Sequence, residues 1–142
     1  MRIAEVLQSK GTAVLTVAPS VTVRQVIDDM TRHNVGAFVV VENTEVLGII
    51  SERDVIHRLN ECGAGALGTP IAEIMSTTVY SCSLDDSVDS LAATMTEHRI
   101  RHMPVVVEGS LRGIVSIGDV VKSRMDELEA ERDHLESYIH RG

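Results

Sequence analysis

Two stretches of the chain carry the same helical pattern of apolar residues. Val23, Val26, Ile27 and Met30 are spaced i, i+3, i+4, i+7, and an identical spacing recurs at an offset of 65 residues, in Val88, Leu91, Ala92 and Met95. Such a spacing places the apolar side chains on one face of a helix. We therefore expect one amphipathic helix in each stretch, and Thr22 with Gln25 predicts a capping box at the start of the first.

Strand patterns surround both helices in the same order. A short alternating stretch precedes each helix, at residues 13–17 and 78–82. After each helix come two apolar runs joined by a polar turn, at residues 37–41 and 46–50 and again at 103–107 and 111–115. This arrangement is typical of a β-hairpin. A second helix is expected to begin at Ser51 and at Ser116, so each half has the order β-α-β-β-α.

The two halves are copies of one unit. Residues 16–55 align with residues 81–120 without a gap, and the identical pairs include Val23/Val88, Met30/Met95, His33/His98, Gly48/Gly113, Ser51/Ser116 and Asp54/Asp119. Residues 3–7 are also similar in sequence to residues 71–75, which predicts a short helical lead-in before each copy. We divide the chain into a first repeat with its lead-in helix (1–60), a Gly- and Pro-containing linker (61–70), a second repeat (71–125) and a C-terminal amphipathic helix (126–142).

The expected fold is α+β, with a three-stranded mixed sheet in each repeat. Each unit alone leaves an apolar face uncovered, so the two should pack face to face as one module, with a ligand-sized cleft between them. The C-terminal helix carries an apolar stripe formed by Met125, Leu128, Leu135, Tyr138 and Ile139. This stripe has two interpretations, covering its own module or binding another helix.

Composition narrows the possible partners. The chain has 44% hydrophobic and 24% charged residues, which is an ordinary globular composition. Only 2% of residues are aromatic and the net charge is −8, which argues against a nucleic-acid partner. The absence of a long apolar run and of a signal-peptide pattern predicts a cytoplasmic protein without membrane insertion. The two cysteines are expected to be reduced thiols, with a redox pair as the alternative.

Four segments of the repeats form a recurring set of motifs, GIISERDV (48–55) and GIVSIGDV (113–120), preceded by NVGAFVVV (34–41) and RIRHMPVVV (99–107). Together they resemble tandem CBS domains, the Bateman module of stand-alone bacterial type. The resemblance covers about residues 1–125. It implies a regulatory or sensor module that binds an adenine nucleotide between the repeats and signals energy or stress state to a client enzyme or transporter. AMP or ATP is expected ahead of NAD, and ahead of S-adenosylmethionine because that compound has no phosphate.

The resemblance also implies the binding residues. Asp54 and Asp119 would hold the ribose hydroxyls, and Ser51 and Ser116 would contact phosphate. The remaining residues expected to bind nucleotide are Thr16, Gly36, Ala37, Arg53, Ser81, Arg101, His102, Met103 and Pro104. The chemistry is suitable, because a carboxylate can accept two hydrogen bonds from a cis-diol and a helix N-terminus stabilises phosphate. The second copy is the closer match to the family pattern, so Asp119 is expected to matter more than Asp54.

The same residues also have interpretations other than nucleotide binding. Each Ser-x-x-Asp could be a capping box, and the arginines could be ordinary surface residues. His98 and His102 have a zinc-like spacing, but the helix is expected to end near Arg99, so no metal is predicted. There is no nucleophile elbow, P-loop or dinucleotide fingerprint, so an enzyme is not expected. The main alternative is a ligand-free structural or dimerisation protein, and in either case we expect a homodimer formed through exposed helix faces.

Overall fold

The computed structural model describes residues 1–141. Its helices are α1 (Ile3–Lys10), α2 (Val23–His33), α3 (Glu52–Cys62), α4 (Val88–His98) and α5 (Ile117–Arg141). Its strands are β1 (Thr16–Val17), β2 (Ala37–Glu42), β3 (Glu45–Ser51), β4 (His102–Val107) and β5 (Ser110–Ser116). Short 3-10 helices cover Gly63–Gly68 and Ile71–Glu73. The order of elements confirms the α+β class and the repeated architecture.

The two hairpins are built alike. β2 pairs antiparallel with β3, and β4 pairs antiparallel with β5, each with a register shift after the fourth residue of its first strand, at Val40/Val41 and at Val105/Val106. β1 adds to β2 in parallel and completes a three-stranded mixed sheet in the first repeat. The predicted hairpins are therefore confirmed in both copies.

The leading strands are shorter than predicted. The stretch expected at 13–17 contributes only β1, and the one expected at 78–82 is reduced to a single parallel bridge between Cys82 and Val105. Pro104 supplies a physical reason, because it has no N–H to donate at the position that Val39 holds in the first copy. The second sheet consequently has two strands instead of the expected three.

The lead-in segments exchange places between the two copies. Ile3 is fully buried among the second copy's Val88 and Leu91, and Ile71 is fully buried among the first copy's core residues. The main chain repeats this symmetry, because the N–H of Val88 donates to the Met1 carbonyl and the N–H of Val23 donates to the Thr69 carbonyl, both at 2.9 Å. Each copy therefore completes its core with a segment of the other.

The two lead-ins differ in length and shape. The helix expected at 71–75 is a single 3-10 turn, after which Ser76 pairs with Ile49 in extended conformation. In the first lead-in, α1 continues as a helix to Lys10. Because of this difference, Lys10 of the first lead-in lies beside Asp119, whereas the extended chain after the second lead-in lines the same cleft as Asp54.

Helix α5 joins the second repeat to the tail without a break, so the predicted boundary at 125/126 falls inside one helix of 25 residues. Its first half packs against α4, whereas every side chain from residue 128 to residue 140 is exposed. Within the described residues, no helix combines the length and apolar character needed to cross a membrane.

The exchange of lead-ins can be tested by truncating a buried anchor. Ile3→Ala should lower the free energy of unfolding by ~2–5 kcal/mol, because it removes methyl groups from the second copy's closed core. Leu15→Ala, which changes a 43%-exposed side chain, is the control and should cost about 0.5 kcal/mol or less. Urea denaturation followed by circular dichroism measures both, and equal losses would contradict the role given to Ile3.

The symmetry-related glycines provide a second test. A Cβ on Gly48 would lie 2.6 Å from the Ser76 carbonyl oxygen, whereas one on Gly113 would lie 2.9 Å from Cδ2 of Leu7. The Ser76 carbonyl is held by the Ile49 N–H, but a leucine methyl can rotate away. Gly48→Ala should therefore destabilise by ~1–3 kcal/mol, and Gly113→Ala by clearly less. The idea fails if thermal melts show the reverse order.

Candidate functional site

A cleft of about 540 Å³ opens between the two repeats. Its size is within the range of small-molecule sites, ~300–1,000 Å³. From the first repeat it is lined by Gly36, Ala37, Ile49, Ser51, Glu52, Arg53, Asp54, Ile56 and His57. From the second it is lined by Ser76, Thr78, Tyr80, His98, Arg99, Ile100, Arg101 and His102. Both copies thus contribute polar and cationic groups to one space.

Ser51 and Asp54 form a capping box at the start of α3. The Asp54 N–H donates to Oγ of Ser51 at 3.3 Å, and Oδ2 of Asp54 accepts from the Ser51 N–H and hydroxyl, both at 2.9 Å. All these bonds to the carboxylate fall on Oδ2, and the pair lines the cleft at the positive end of the helix dipole. The capping interpretation is therefore correct for this pair, and it fixes the carboxylate where a ligand could meet it.

The second Ser-x-x-Asp has the same cap and an additional ion pair. The Asp119 N–H donates to Oγ of Ser116 at 3.2 Å, and Oδ2 of Asp119 accepts from the Ser116 N–H at 2.9 Å. Nζ of Lys10 lies 2.6 Å from the same Oδ2 and also donates to the Ile114 carbonyl at 2.9 Å. Lys10 is the last residue of α1, so the exchanged lead-in brings a cation to this carboxylate.

The ion pair changes the titration of the groups around it. Burial acts to raise the pKa of Asp119, but the hydrogen bonds from Lys10 and Ser116 outweigh it and hold the pKa below its usual value. The pKa of His102 is also lowered, first by burial and then by the charge of Lys10. Both effects favour the neutral form of the His102 side chain in the cleft.

The cleft contains groups that the motifs did not predict. The rings of Tyr80 and His98 are stacked, with centroids 3.9 Å apart and an angle of 18° between their planes. Glu52 lies against Gly36, in the space that a Cβ there would need. For one residue that lines the cleft, Thr78, the sequence does contain a signal. Thr78 follows Ile71 at the same interval at which Lys10 follows Ile3, so the two lead-ins place these residues at equivalent positions.

The predicted binding residues separate into two groups. The cleft brings together Gly36, Ala37, Ser51, Arg53, Asp54, Arg101 and His102. The remaining ones do not line it, and they are Thr16, Ser81, Met103, Pro104, Ser116 and Asp119. Met103 and Pro104 are buried, and Thr16 and Ser81 are exposed outside the cleft wall. Ser116 and Asp119 are the repeat equivalents of Ser51 and Asp54, and the side chain of Lys10 lies against Asp119.

The end of α4 and the two cysteines bear on the metal and thiol interpretations of the sequence. Helix α4 ends at His98, and Arg99 adopts a left-handed conformation with φ 56°, as expected from the sequence. In the portion of the chain described, no group of three potential ligand side chains could hold a metal ion. Both cysteines are free, and burial followed by the charge of Asp86 raises the pKa of Cys82 to about 11, which makes it a poor nucleophile.

The Asp119 ion pair predicts a specific pH dependence. Because the folded-state pKa lies below the unfolded value of ~3.9, ionised Asp119 stabilises the fold above that pH, and its contribution is lost as the pH falls through the folded-state pKa. Asp119→Asn should therefore be less stable than the parent at pH 6, and the difference should shrink under acid. Urea midpoints measured between pH 6 and pH 3 test this, and a difference independent of pH would refute it.

Comparison with known proteins agrees with the repeated architecture. The CBS domain family model matches twice, at residues 5–61 and 71–126. The chain is 36% identical to the mitochondrial CBS domain-containing protein CBSX3 of Arabidopsis thaliana, over 99% of this chain and 72% of the relative.

Solved structures give the same result. The CBS-domain protein ATU1752 of Agrobacterium tumefaciens superposes with a TM-score of 0.85 at 38% identity, covering 87% of this chain and 99% of the other. The CBS domain protein PAE2072 of Pyrobaculum aerophilum, solved in complex with AMP, superposes with a TM-score of 0.74 at 26% identity, covering 84% and 89%. With two matched repeats, an exchanged pair of lead-ins and a cleft between the copies, the chain belongs to the CBS domain family as a tandem CBS protein.

Proposed function

We propose that this protein is a regulatory module that binds an adenine nucleotide in the cleft between its two repeats and signals its occupancy to a partner. The observation that carries the proposal is the convergence of Asp54 and Arg53 from one copy with Arg101 and His102 from the other. Asp54 provides an anionic acceptor and the two arginines provide phosphate-binding cations within one cleft, while His102 adds an imidazole that can form hydrogen bonds. The role is regulatory rather than catalytic, and the expected setting is the cytoplasm.

Asp54 is the proposed ribose-binding residue. Its carboxylate is oriented by Ser51 through Oδ2, and a cis-diol needs two acceptor positions on a charged group. Asp119 was expected to be the more important carboxylate, and the geometry leads us to reverse that order. Lys10 already holds Oδ2 of Asp119 at 2.6 Å, so ribose would have to compete with an ion pair there.

The phosphate would lie near the N-terminus of α3. Ser51 and the first turn of that helix offer a favourable dipole, and Arg53 lies on the same turn. Arg101 lines the cleft from the second repeat, and its guanidinium can make bidentate contacts to phosphate. A ligand with phosphate is therefore preferred, with AMP or ATP ahead of NAD and S-adenosylmethionine.

The base would lie on the apolar part of the cleft. Ala37, Ile49 and Ile100 supply aliphatic surface, and the Tyr80 ring, which is stacked on His98, adds an aromatic surface to the cleft. AMP in the Pyrobaculum aerophilum relative supports an adenine ligand for this fold at 26% identity. The alternative, a ligand-free structural protein, would leave these groups without a ligand.

A thermal-shift panel tests the ligand class. At about 100 times its dissociation constant, a ligand stabilises a fold by ~2.7 kcal/mol. For a domain of this size we expect a rise in Tm of roughly 5–10 °C with AMP or ATP, given ~2–4 °C per kcal/mol. Should AMP, ADP, ATP, NAD and S-adenosylmethionine all leave Tm unchanged at millimolar concentration, the structural alternative would stand instead.

A matched pair of substitutions tests the site. Asp54→Asn should weaken nucleotide binding by about 10- to 100-fold, because hydrogen bonds to a charged group contribute ~1.5–3 kcal/mol. Asp119→Asn is the control, as it makes the same change in the same cap outside the cleft, and it should leave affinity within about threefold. Calorimetry with the tightest ligand decides, and a larger loss in Asp119→Asn would restore the original order.

A further inference from the structure

The main chain beside the two Ser-x-x-Asp caps accepts hydrogen bonds from different donors. Ile49 of β3 and Ile114 of β5 are equivalent residues of the two copies. The carbonyl of Ile49 accepts from the main-chain N–H of Ser76 at 2.9 Å. The carbonyl of Ile114 accepts from Nζ of Lys10, also at 2.9 Å. In the second copy, a side-chain cation of the first lead-in therefore takes the place of a main-chain donor.

The same ammonium also binds the carboxylate of the second cap. Nζ of Lys10 lies 2.6 Å from Oδ2 of Asp119, the oxygen that accepts from the Ser116 N–H. Oδ2 of Asp54 accepts from the hydroxyl of Ser51, and among the residues that the structure describes no ion pair involves Asp54. The two carboxylates thus have matching caps, but only that of Asp119 is paired with a cation.

The packing of α1 holds Lys10 in this position. Helix α1 buries its apolar face, which includes Leu7, in the core of the second copy. Leu7 lies against Gly113, where a side chain would meet its methyl groups. Lys10 follows Leu7 at i+3 on the same face of the helix, and its ammonium reaches Ile114, the next residue of β5. The exchanged lead-in therefore directs the ammonium to the second Ser-x-x-Asp.

We infer that Lys10 closes the second Ser-x-x-Asp to nucleotide, so that one chain binds a single ligand, at Asp54. This inference rests on the proposed function and adds the residue that makes two equivalent positions unequal. A ribose that binds Asp119 has to displace the ammonium, which then loses its bonds to that carboxylate and to the Ile114 carbonyl. Because hydrogen bonds between charged groups are stronger than those between neutral groups, the exchange is unfavourable.

The position behind Lys10 is the repeat equivalent of the proposed site. Asp119 is oriented by the cap of α5 as Asp54 is oriented by the cap of α3. The two positions adjoin at His102, which lines the cleft and whose pKa is lowered by the charge of Lys10 and raised by that of Asp119. Without the ammonium, Asp119 has a carboxylate that is free to accept hydrogen bonds from a ribose.

The number of ligands bound by each chain tests the inference. Calorimetric titration with AMP, and with ATP in a parallel series, should give one site in the parent chain. Lys10→Met keeps an unbranched side chain but removes the ammonium, so it should give two sites, and Lys10→Ala should give the same result. Lys10→Arg is the matched control, because it retains a cation for Asp119, and it should remain at one site. Two sites in the parent chain, or a single site in both neutral variants, would overturn the inference but leave the proposed function intact.

Combined substitutions locate the second ligand. Asp54→Asn alone should bind weakly, whereas Lys10→Met in the same chain should bind at least about tenfold more tightly, through Asp119. Adding Asp119→Asn to that double variant should remove the gain. A Lys10→Met chain with one site and weaker binding than the parent would make Lys10 a phosphate ligand, contrary to the inference. If neither the parent chain nor any variant binds AMP or ATP, the proposed function fails and this inference fails with it.

Discussion

The exchange of lead-in segments is the contact on which the rest of this molecule depends. Ile3 and Ile71 are each fully buried, and each lies in the core of the other repeat. A β-α-β-β-α unit of this size cannot close its own apolar face, so neither copy has a complete core until the other supplies its lead-in. The cleft lies next to this exchange, because the chain that leaves the second lead-in continues through Ser76, Thr78 and Tyr80, which line it.

The chain uses one symmetric plan to make two unequal positions. Where the second lead-in turns extended after Ile71–Glu73, Ser76, Thr78 and Tyr80 border the cleft beside Asp54. The first lead-in remains helical to Lys10, and the ammonium of that residue reaches Asp119. Both Ser-x-x-Asp segments therefore cap their helices equally well, but one carboxylate faces the cleft and the other is held in an ion pair.

The repeated pattern predicted the architecture because the strongest signals are local. Apolar spacing gave both amphipathic helices, and the hairpins and caps followed from short-range residue chemistry at Thr22, Ser51 and Ser116. The leading strand of the second copy was predicted wrongly, since its pairing depends on the missing N–H of Pro104 in another segment. Propensity along residues 78–82 carries no information about that partner.

The candidate site was less predictable than the fold for a related reason. Asp54, Arg53 and Arg101 could be named from motifs, but the stacking of Tyr80 on His98 depends on three-dimensional packing between segments. The effect of Lys10 on Asp119 joins residues at opposite ends of the chain, and no spacing rule connects them. The family pattern favoured the second copy because it compares residue types, whereas the geometry shows which carboxylate is already paired.

The start of α5 connects the cleft with the exposed helix. The N–H of Ile117 donates to the carbonyl of Arg101 at 2.8 Å, and the side chain of Arg101 lines the cleft. A phosphate that draws the Arg101 guanidinium inward would act on a residue bonded to the first turn of α5. Ile117 is the first residue of α5, so a displacement of Arg101 would act on the N-terminus of that helix. Only a difference in ligand affinity between two arrangements of α5 can couple the cleft to this helix, and any contact that favours one arrangement would alter ligand affinity in return.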